Sequence, residues 1–394
     1  MRLPLIPVLI ILVISILIDI FIYRRMRRIG ASRKLCVTYV VISSACQLLL
    51  LAAALMPKKT GSDVQLRALM WVIFAYLTVY IPKIIVALFM LVRMGLARLF
   101  HRPLHGITFT GAAIGAVIFC LMWWGAVFNR HNIDVRDVSV DIEGLPHAFD
   151  GYRIAQISDL HVGSLDNDPG FLIHAVERIN SLRPDLIVFT GDIVNRHSPE
   201  LIPYTDILAQ LHAPDGVYSI MGNHDYGDYY SWTSAAEKRA DIDSLQAMQA
   251  RMGWRMLNNT HTWLRRQGDS LALIGVENIG DPPFHIYGSL ADAYPDLSDA
   301  NAKILLSHNP AHWSDSVCGR RDMNVALTLS GHTHAMQIEL FGASPAAMRY
   351  DRWGGLYTDS LGRDLYVNIG LGVVGMPARI GATPEITLLT LHAQ

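Results

Sequence analysis

The chain has 394 residues, more than one typical domain, and its hydrophobic content of 51% and mean hydropathy of +0.27 are high for a purely soluble protein. The net charge of −1 hides two opposite halves. Residues 1–128 contain 14 Lys and Arg against 2 Asp, whereas the rest of the chain contains 19 Lys and Arg against 32 Asp and Glu. A basic, apolar segment therefore precedes an acidic one.

Four long apolar stretches account for the excess hydrophobicity. A helix needs about 20 apolar residues to cross a bilayer, and each stretch is long enough. The alternative for the first stretch, a cleaved signal peptide, is disfavoured because the apolar run is too long and no small-residue cleavage site follows it. We expect a transmembrane domain over residues 1–128, with helices at residues 3–22, 35–56, 68–92 and 107–128.

The basic residues predict how these spans are oriented. Short loops rich in Lys and Arg stay on the cytoplasmic side, and the densest basic cluster in this half follows the first span. The cluster is Arg24, Arg25, Arg27, Arg28, Arg33 and Lys34. Basic residues of the second loop oppose this orientation and those of the third support it. The prediction is a multi-pass protein of the cytoplasmic (inner) membrane, with everything after Phe128 on the extracytoplasmic side.

Two charged residues fall inside predicted spans. Lys83 follows Pro82 in the third span, where the proline is expected to kink the helix, and Asp19 lies in the first span. Lys83 either pairs with Asp19 or extends its amine to the membrane surface while Asp19 lies at the interface. The second alternative is favoured from the sequence.

The acidic segment has the pattern of an α/β fold. Residues 129–150 carry turn signals and one strand at 135–142, which predicts a connector, and a second domain is expected over residues 151–394. Alternating strands and helices predict a sheet that is parallel at first and mixed later. Helices are predicted at residues 169–182, 200–211 and 234–252, and the first strands at 153–158, 185–190 and 217–221.

Metal-type ligands follow five of the predicted strands. Because the carboxyl ends of parallel strands meet at one edge of a sheet, we expect these side chains to converge. Carboxylate, amide and imidazole groups brought together can hold two divalent cations that clamp a phosphoryl group. The predicted metal ligands are Asp159, His161, Asp192, Asn223, His308, His332 and His334.

The spacing of the ligands suggests how they divide between two ions. Asp192 follows Gly191 in a tight turn, so its short side chain is best placed to face both ions. Asp159, His161 and His334 would complete one ion, and Asn223, His308 and His332 the other. A hydroxide shared between the ions would be the nucleophile, because metal binding brings the pKa of water towards neutrality.

Further residues are candidates for catalysis and substrate binding. His224 is expected to stabilise the phosphoryl oxygens or protonate the leaving group, with Asp225 orienting it. Arg379 either binds a substrate phosphate through its fork or is structural. An aromatic segment shortly after Asp225 contains Tyr229, Tyr230 and Trp232. It either borders the cleft, contacts the membrane surface or packs as a loop.

At these positions the sequence resembles the calcineurin-like metallophosphoesterases, and more closely their membrane-associated YkuE-type branch, which includes some UDP-diacylglucosamine pyrophosphatases. The resemblance covers residues 150–394 and implies a β-sandwich flanked by helices, with manganese, iron or zinc ions. The four-span domain has no counterpart in that catalytic fold. The matching motifs are Asp159-Leu160-His161, Gly191-Asp192, Gly222-Asn223-His224-Asp225, His308 and Gly331-His332-Thr333-His334.

Three functional hypotheses remain open at the level of sequence. The first is a membrane-anchored two-metal phosphohydrolase acting on lipid-linked or envelope phosphoesters or pyrophosphates, with the lipid bilayer as partner and no nucleic acid. The second is a general or cyclic-nucleotide phosphodiesterase. The third, from a different class, is a metal-dependent membrane sensor or scaffold, and a small transporter with a regulatory domain has only Lys83 and Asp19 in its favour.

Overall fold

The computed structural model describes residues 5–56, 61–166, 168–282, 284–294 and 296–394. The first two residues of the predicted first span and two lysines of the second loop, Lys58 and Lys59, lie outside these ranges. The chain divides into two compact units: residues 1–127 with 375–378, and residues 128–374 with 379–394.

Four helices long and apolar enough to cross a membrane form the first unit, which confirms the predicted number of spans. They are α1 (Leu5–Arg28), α2 (Arg33–Leu55), α3 (Asp63–Phe100) and α4 (His105–Val127). Helix α3 begins earlier and ends later than predicted. A reciprocal pair of hydrogen bonds between Ser62 and Gln65 caps its start, and the helix continues through Pro82.

The structure overturns the favoured expectation for the two charged residues. Lys83 Nζ lies 2.9 Å from Asp19 Oδ1, and both side chains are largely buried. The Asp19 carboxylate also accepts hydrogen bonds from Tyr39 at 2.6 Å and Tyr80 at 2.7 Å. An unpaired charge inside a membrane span is costly. The packing of α1 against α3 reduces this cost by pairing Lys83 with Asp19.

The second unit contains twelve strands among the described residues. They are β1 (Asp134–Ile142), β2 (Arg153–Ile157), β3 (Leu186–Phe189), β4 (Val217–Ser219), β5 (Trp254–Met256), β6 (Thr260–Arg266), β7 (Asp269–Gly275), β8 (Lys303–Leu306), β9 (Val325–Ser330), β10 (Gly355–Thr358), β11 (Asp364–Val367) and β12 (Glu385–Ala393).

The strands form two six-stranded sheets, ordered β1-β12-β2-β3-β4-β5 and β10-β11-β9-β8-β7-β6. The runs β2-β3-β4-β5 and β11-β9-β8-β7 are parallel, while β12 with β2, β10 with β11 and β6 with β7 are antiparallel. Strand β1 pairs with β12 in parallel, so both sheets contain parallel and antiparallel pairs, as the mixed arrangement expected from the sequence requires.

Helices cover the outer faces of the two sheets. They are α5 (Gly170–Ser181), α6 (Thr205–Leu208), α7 (Ala235–Arg251), α8 (Leu290–Ala293) and α9 (Pro310–Ser316). The helix predicted at 200–211 is wrong in form, because a 3₁₀ helix (Ser198–Tyr204) precedes the single turn of α6. Pro203 lacks a backbone N–H, which disfavours a continuous α-helix there.

Three buried apolar clusters hold these layers together. The central cluster joins inward-facing side chains of both sheets, such as Ile154 and Val188 from the first and Ile304 and Leu327 from the second. A second cluster packs α5 and α7 against the first sheet, and a third packs α9 against the second sheet. The β-sandwich flanked by helices is therefore confirmed, and the carboxyl ends of its parallel strands carry the site.

Candidate metal centre

The predicted ligands converge where the parallel strands end. Asp159 and His161 follow β2, and Asp192 follows β3 of the same sheet. Asn223 follows β4, and the remaining three come from the second sheet. All seven side chains are brought together, although they span the chain from residue 159 to residue 334.

The backbone at the site is strained in a way that aims these side chains. Asp159, Asp192 and His332 have φ values of 53°, 62° and 74°, in the left-handed region that side-chain-bearing residues rarely adopt. His161 and His334 share this conformation. Strain of this kind costs about 1–3 kcal/mol per residue and clusters at functional sites.

Two glycines of the motifs are required by close approach. A Cβ on Gly222 would lie 2.2 Å from Asp192 Oδ1, and a Cβ on Gly331 would lie 1.9 Å from Ser158 Oγ and 2.4 Å from Asp159 Oδ2. Real side chains do not approach so closely. The glycines therefore let the loops pass directly over the carboxylates.

One set of ligands consists of Asp159, His161 and His334. His334 Nε2 lies 3.1 Å from His161 Nε2 and 3.1 Å from Asp159 Oδ1. The other Asp159 oxygen accepts the backbone N–H of His332 at 2.9 Å, which fixes the carboxylate. These three side chains could hold a metal ion.

The second set consists of Asn223, His308 and His332. His308 Nε2 lies 3.2 Å from Asn223 Oδ1 and 3.3 Å from His332 Nδ1. Asp192 Oδ2 lies 3.2 Å from His308 Nε2 and 3.6 Å from His161 Nε2, between the two sets. Its Oδ1 accepts the backbone N–H of His224 at 2.8 Å, so Oδ2 is the oxygen that faces both.

The donor chemistry of these atoms fits divalent cations. Acceptor atoms face one another across about 3 Å, the spacing that neighbouring ligands have around an ion about 2.1 Å from each. Asp159 Oδ1 is buried and accepts no hydrogen bond from the described residues. Hydrogen bonds alone leave these buried lone pairs unsatisfied, whereas cations between them would satisfy them.

Burial and neighbouring charges set the protonation of the ligands. Burial lowers the pKa of His161 well below its usual range and that of His332 to about 3, so both rings are neutral near pH 7 and offer lone pairs. Burial by itself would raise the pKa of Asp192. The nearby His308 and His224 outweigh this effect, so the pKa lies well below its usual range and the carboxylate stays ionised. Although burial lowers the pKa of His308, Asp192 raises it to about 9, so a cation bound there must displace a proton.

The structure corrects one prediction about the catalytic candidates. The Asp225 carboxylate accepts the backbone N–H groups of Asp192, Ile193 and Gly222 at 2.8–2.9 Å. His224 Nδ1 instead lies 2.7 Å from the Asn195 carbonyl. Asp225 therefore holds the loops that carry the ligands, and the expectation that it orients His224 is wrong.

Arg379 is structural rather than exposed to substrate. Its side chain is completely buried and donates to the carbonyls of Gly372 at 2.6 Å and Ile369 at 3.0 Å. A further nitrogen lies 3.2 Å from His334 Nδ1, so the guanidinium supports a metal-ligand candidate from behind. Because the Arg379 side chain is buried and bonded to backbone carbonyls, it is not available to bind a substrate phosphate.

Two tyrosines support the site through contacts that the sequence did not specify. The Tyr229 ring stacks on His224 at 4.1 Å between centroids, and its hydroxyl accepts a hydrogen bond from Asn223 Nδ2 at 2.9 Å. Tyr350 Oη lies 3.2 Å from His332 Nε2. The sequence identifies Tyr229 only as part of an aromatic segment, and no local motif identifies Tyr350.

Comparison with known proteins decides the family. Residues 152–336 match the model of the calcineurin-like phosphoesterases, and residues 1–130 match a probable calcineurin-like phosphoesterase transmembrane domain. YkuE, a metallophosphoesterase of Bacillus subtilis (strain 168), is 34% identical over 274 residues, covering 67% of this chain and 87% of YkuE. The chain belongs to the calcineurin-like metallophosphoesterases.

Other relatives of this metallophosphoesterase carry membrane or lipid descriptions in their names. A transmembrane protein with metallophosphoesterase domain from Danio rerio is 31% identical over 275 residues; the match covers 68% of this chain but only 59% of that protein. The UDP-2,3-diacylglucosamine pyrophosphatase LpxG of Chlamydia trachomatis serovar D is 30% identical over 287 residues, covering 61% of this chain and 83% of LpxG.

The family and the geometry together establish the coarse chemistry. The metallophosphoesterase is a metal-dependent phosphoesterase and a membrane protein whose spans associate it with the lipid bilayer. The family uses divalent metals, and the clustered side chains of both ligand sets could bind them. The predicted family, fold class and enzyme class are confirmed.

Proposed function

We propose that this metallophosphoesterase is a two-metal phosphohydrolase that cleaves phosphoester or pyrophosphate bonds of lipid-linked substrates at the extracytoplasmic face of the cytoplasmic membrane. The observation that carries the proposal is the position of Asp192 Oδ2, within 3.6 Å of His161 Nε2 and 3.2 Å of His308 Nε2. A single oxygen that faces both ligand sets supports a pair of cations sharing one carboxylate.

The residues divide into two ligand sets in this proposal. Asp159, His161 and His334 hold one cation, and Asn223, His308 and His332 hold the other. Asp192 contributes to both. Two divalent cations there, manganese, iron or zinc, would neutralise the charge on the phosphoryl oxygens and lower the pKa of a water nucleophile.

His224 acts on the substrate rather than on a cation in this proposal. Its Nδ1 must carry a proton to donate to the Asn195 carbonyl at 2.7 Å, which leaves Nε2 as the reactive edge. As an imidazolium, the ring can donate a proton from Nε2 to the leaving oxygen. Stacking of Tyr229 on the ring restricts its rotation.

His224 lies near Asp192 and His161, so it could also bind a metal ion. A variant distinguishes that role from the role of general acid. We expect His224→Asn to retain the bound metal and lose about 10²–10⁴-fold in kcat, the usual contribution of a general acid. Metal content by elemental analysis and turnover would both be measured. Loss of one metal equivalent in the variant would make His224 a ligand and overturn the assignment.

The membrane domain and the similarity to LpxG support a lipid-linked substrate. A soluble phosphodiester does not require the enzyme to be held in a bilayer, whereas a lipid-linked one remains there. The relative's name specifies a diacylated sugar nucleotide, so the same chemical class, a pyrophosphate or phosphodiester joined to an acylated group, is the first to test.

The decisive experiment compares substrates on the full-length protein in lipid with Mn²⁺. Bis-p-nitrophenyl phosphate and a UDP-linked diacylated sugar would be assayed with wild type, Asp192→Asn and the exposed control Asp322→Asn. We expect hydrolysis of both by wild type and the control, and loss of at least about 10³-fold in Asp192→Asn because one ligand serves both cations.

Each alternative has its own outcome in this experiment. Turnover of the soluble diester alone would favour a general or cyclic-nucleotide phosphodiesterase. Full activity in Asp192→Asn would contradict the shared-carboxylate arrangement. Metal binding without turnover of any phosphoester would favour a sensor or scaffold and overturn the proposal.

A further inference from the structure

An apolar loop projects from the second unit directly after the metal-ligand candidate His334. Phe341 is completely exposed and Met348 is 92% exposed, while Met336 and Leu340 are also exposed. Large apolar side chains exposed together mark an interaction surface. No charged residue occurs from residue 340 to residue 348.

Phe341 occupies a backbone position that is unfavourable for an aromatic residue. Leu340 and Ala343 exchange two backbone hydrogen bonds, of 2.9 and 3.1 Å, around a two-residue turn. Its central residues, Phe341 and Gly342, have φ values of 55° and 76°. Asn-Gly or Gly-Gly is usual in such turns, so the exposed ring is present despite a conformational cost.

The base of the loop is attached to the metal centre. Ser344 Oγ donates to the Ala335 carbonyl at 2.6 Å, next to His334, and Tyr350 Oη lies 3.2 Å from His332 Nε2. Backbone hydrogen bonds of 2.8–2.9 Å also join Gln337 and Glu339 to Ile380. The tip is therefore held at a fixed position relative to the ligands.

We propose that loop 335–350 is a membrane-contact loop whose tip, Phe341 and Met348, inserts into the surface of a phospholipid bilayer. The same chain carries four helices long and apolar enough to span a membrane, so the unit that bears the loop is tethered to a bilayer. The lack of charge from Leu340 to Met348 suits lipid better than a polar protein surface. The hydrogen bonds across the turn satisfy the backbone groups that lipid cannot.

This contact would bring the metal centre to the depth of lipid head groups. The contact itself goes beyond the proposed function, whereas its effect on turnover rests on that function. It predicts a preference for substrates whose scissile phosphate lies in the interface, because two ligand candidates, His332 and His334, are continuous in sequence with the loop that carries the apolar tip.

The first test detects the contact without any assay of activity. Phe341 is replaced by the photoreactive p-benzoylphenylalanine in the full-length protein, reconstituted in phosphatidylethanolamine and phosphatidylglycerol nanodiscs. Trp263, a partly exposed aromatic residue on β6, is replaced in the same way as a control. We expect phospholipid adducts, identified by mass, at position 341 and not at 263. Equal adducts at both positions, none at 341, or crosslinks from 341 to protein would each overturn the proposal.

The second test measures the consequence for catalysis. Phe341→Asn with Met348→Gln removes the apolar tip. The first substitution places an asparagine before Gly342, and this pair favours a two-residue turn, so the apparent Tm should stay unchanged or rise. Turnover of a vesicle-borne diacylated substrate should fall at least about tenfold and that of bis-p-nitrophenyl phosphate should not change. Equal turnover of the vesicle-borne substrate by variant and wild type would overturn the catalytic part. Inactivity of the wild type towards both substrates would count against the proposed function, with the crosslinking result still deciding the contact.

Discussion

At the residue scale, three of the ligand candidates are positioned by hydrogen-bond partners that lie outside the ligand motifs. Asn223 donates to Tyr229, His308 Nδ1 lies 2.7 Å from the Thr190 carbonyl, and His332 contacts Tyr350. Such contacts fix which ring nitrogen or amide atom faces the cation. The motifs indicated which residues are ligands, but these partners determine how the side chains point.

Tyr229 should act as a positioning residue for Asn223. Its hydroxyl accepts from Nδ2 and thereby turns Oδ1 towards His308, 3.2 Å away. We expect Tyr229→Phe, which keeps the ring stacked on His224, to weaken binding of the second metal equivalent about 10-fold or more. Titration calorimetry with Mn²⁺ on the full-length protein measures this, with Tyr230→Phe as the matched control. Unchanged affinity for both equivalents would show that the hydroxyl is dispensable.

His312 gives the second unit a pH-dependent stability. Burial lowers its pKa to about 4 in the folded state, against about 6.5 when unfolded. Between these values the unfolded state binds more protons, so stability is lost as the pH falls below about 6.5. From pH 7.5 to pH 5 this group alone should remove about 2 kcal/mol.

A variant isolates this contribution from that of the metal-ligand histidines. Gln in place of His312 can still bond to Ser307, whose Oγ lies 2.8 Å from His312 Nδ1, but does not titrate. We expect the apparent Tm of His312→Gln to fall less between pH 7.5 and pH 5 than that of the wild type. Parallel curves for the two proteins would exclude His312 as the titrating group.

At the element scale, the membrane helices are joined by polar side chains rather than by apolar packing alone. Asp19 of α1 bonds to Tyr39 and Gln47 of α2 and to Tyr80 and Lys83 of α3. Hydropathy locates the spans because each is apolar along its length. It does not predict which helices contact each other. The favoured expectation failed because it treated each charge in isolation, whereas pairing becomes possible only when helices pack.

Breaking the Asp19–Lys83 pair should destabilise the helix bundle. Lys83→Met leaves the carboxylate buried with neutral donors only, at a cost of roughly 3 kcal/mol. Asp19→Asn in the same chain removes that charge, so the double variant should regain most of the loss. Thermal unfolding in detergent is measured for Lys83→Met alone, Asp19→Asn alone and the double variant, with the exposed Lys34→Met as control. A double variant as unstable as the sum of the two single variants would indicate no coupling.

At the scale of the whole molecule, the charge distribution and the number of spans together predict the topology. The basic cluster where α1 ends and α2 begins favours the cytoplasm, and an even number of spans returns the chain to the side of its N-terminus. The second unit should then lie outside the cytoplasm.

Reporter fusions test this orientation. Alkaline phosphatase fused after Gln394 should be active and green fluorescent protein at the same position dark, because the former folds only outside the cytoplasm and the latter only inside. Fusions after Gly30 should give the opposite pattern. Fluorescence at Gln394 would place the catalytic unit in the cytoplasm and rule out an extracytoplasmic substrate.

The sequence by itself determined the family, the four spans and the seven ligand candidates. These follow from local patterns: apolar length, alternation of strands and helices, and short motifs at strand ends whose chemistry is that of the side chains themselves. Only the tertiary structure decided that Arg379 is buried, that Asp225 holds backbone rather than His224, and that Lys83 meets Asp19. Each of these depends on contacts between residues far apart in the chain, and no local pattern encodes which distant group a side chain will meet.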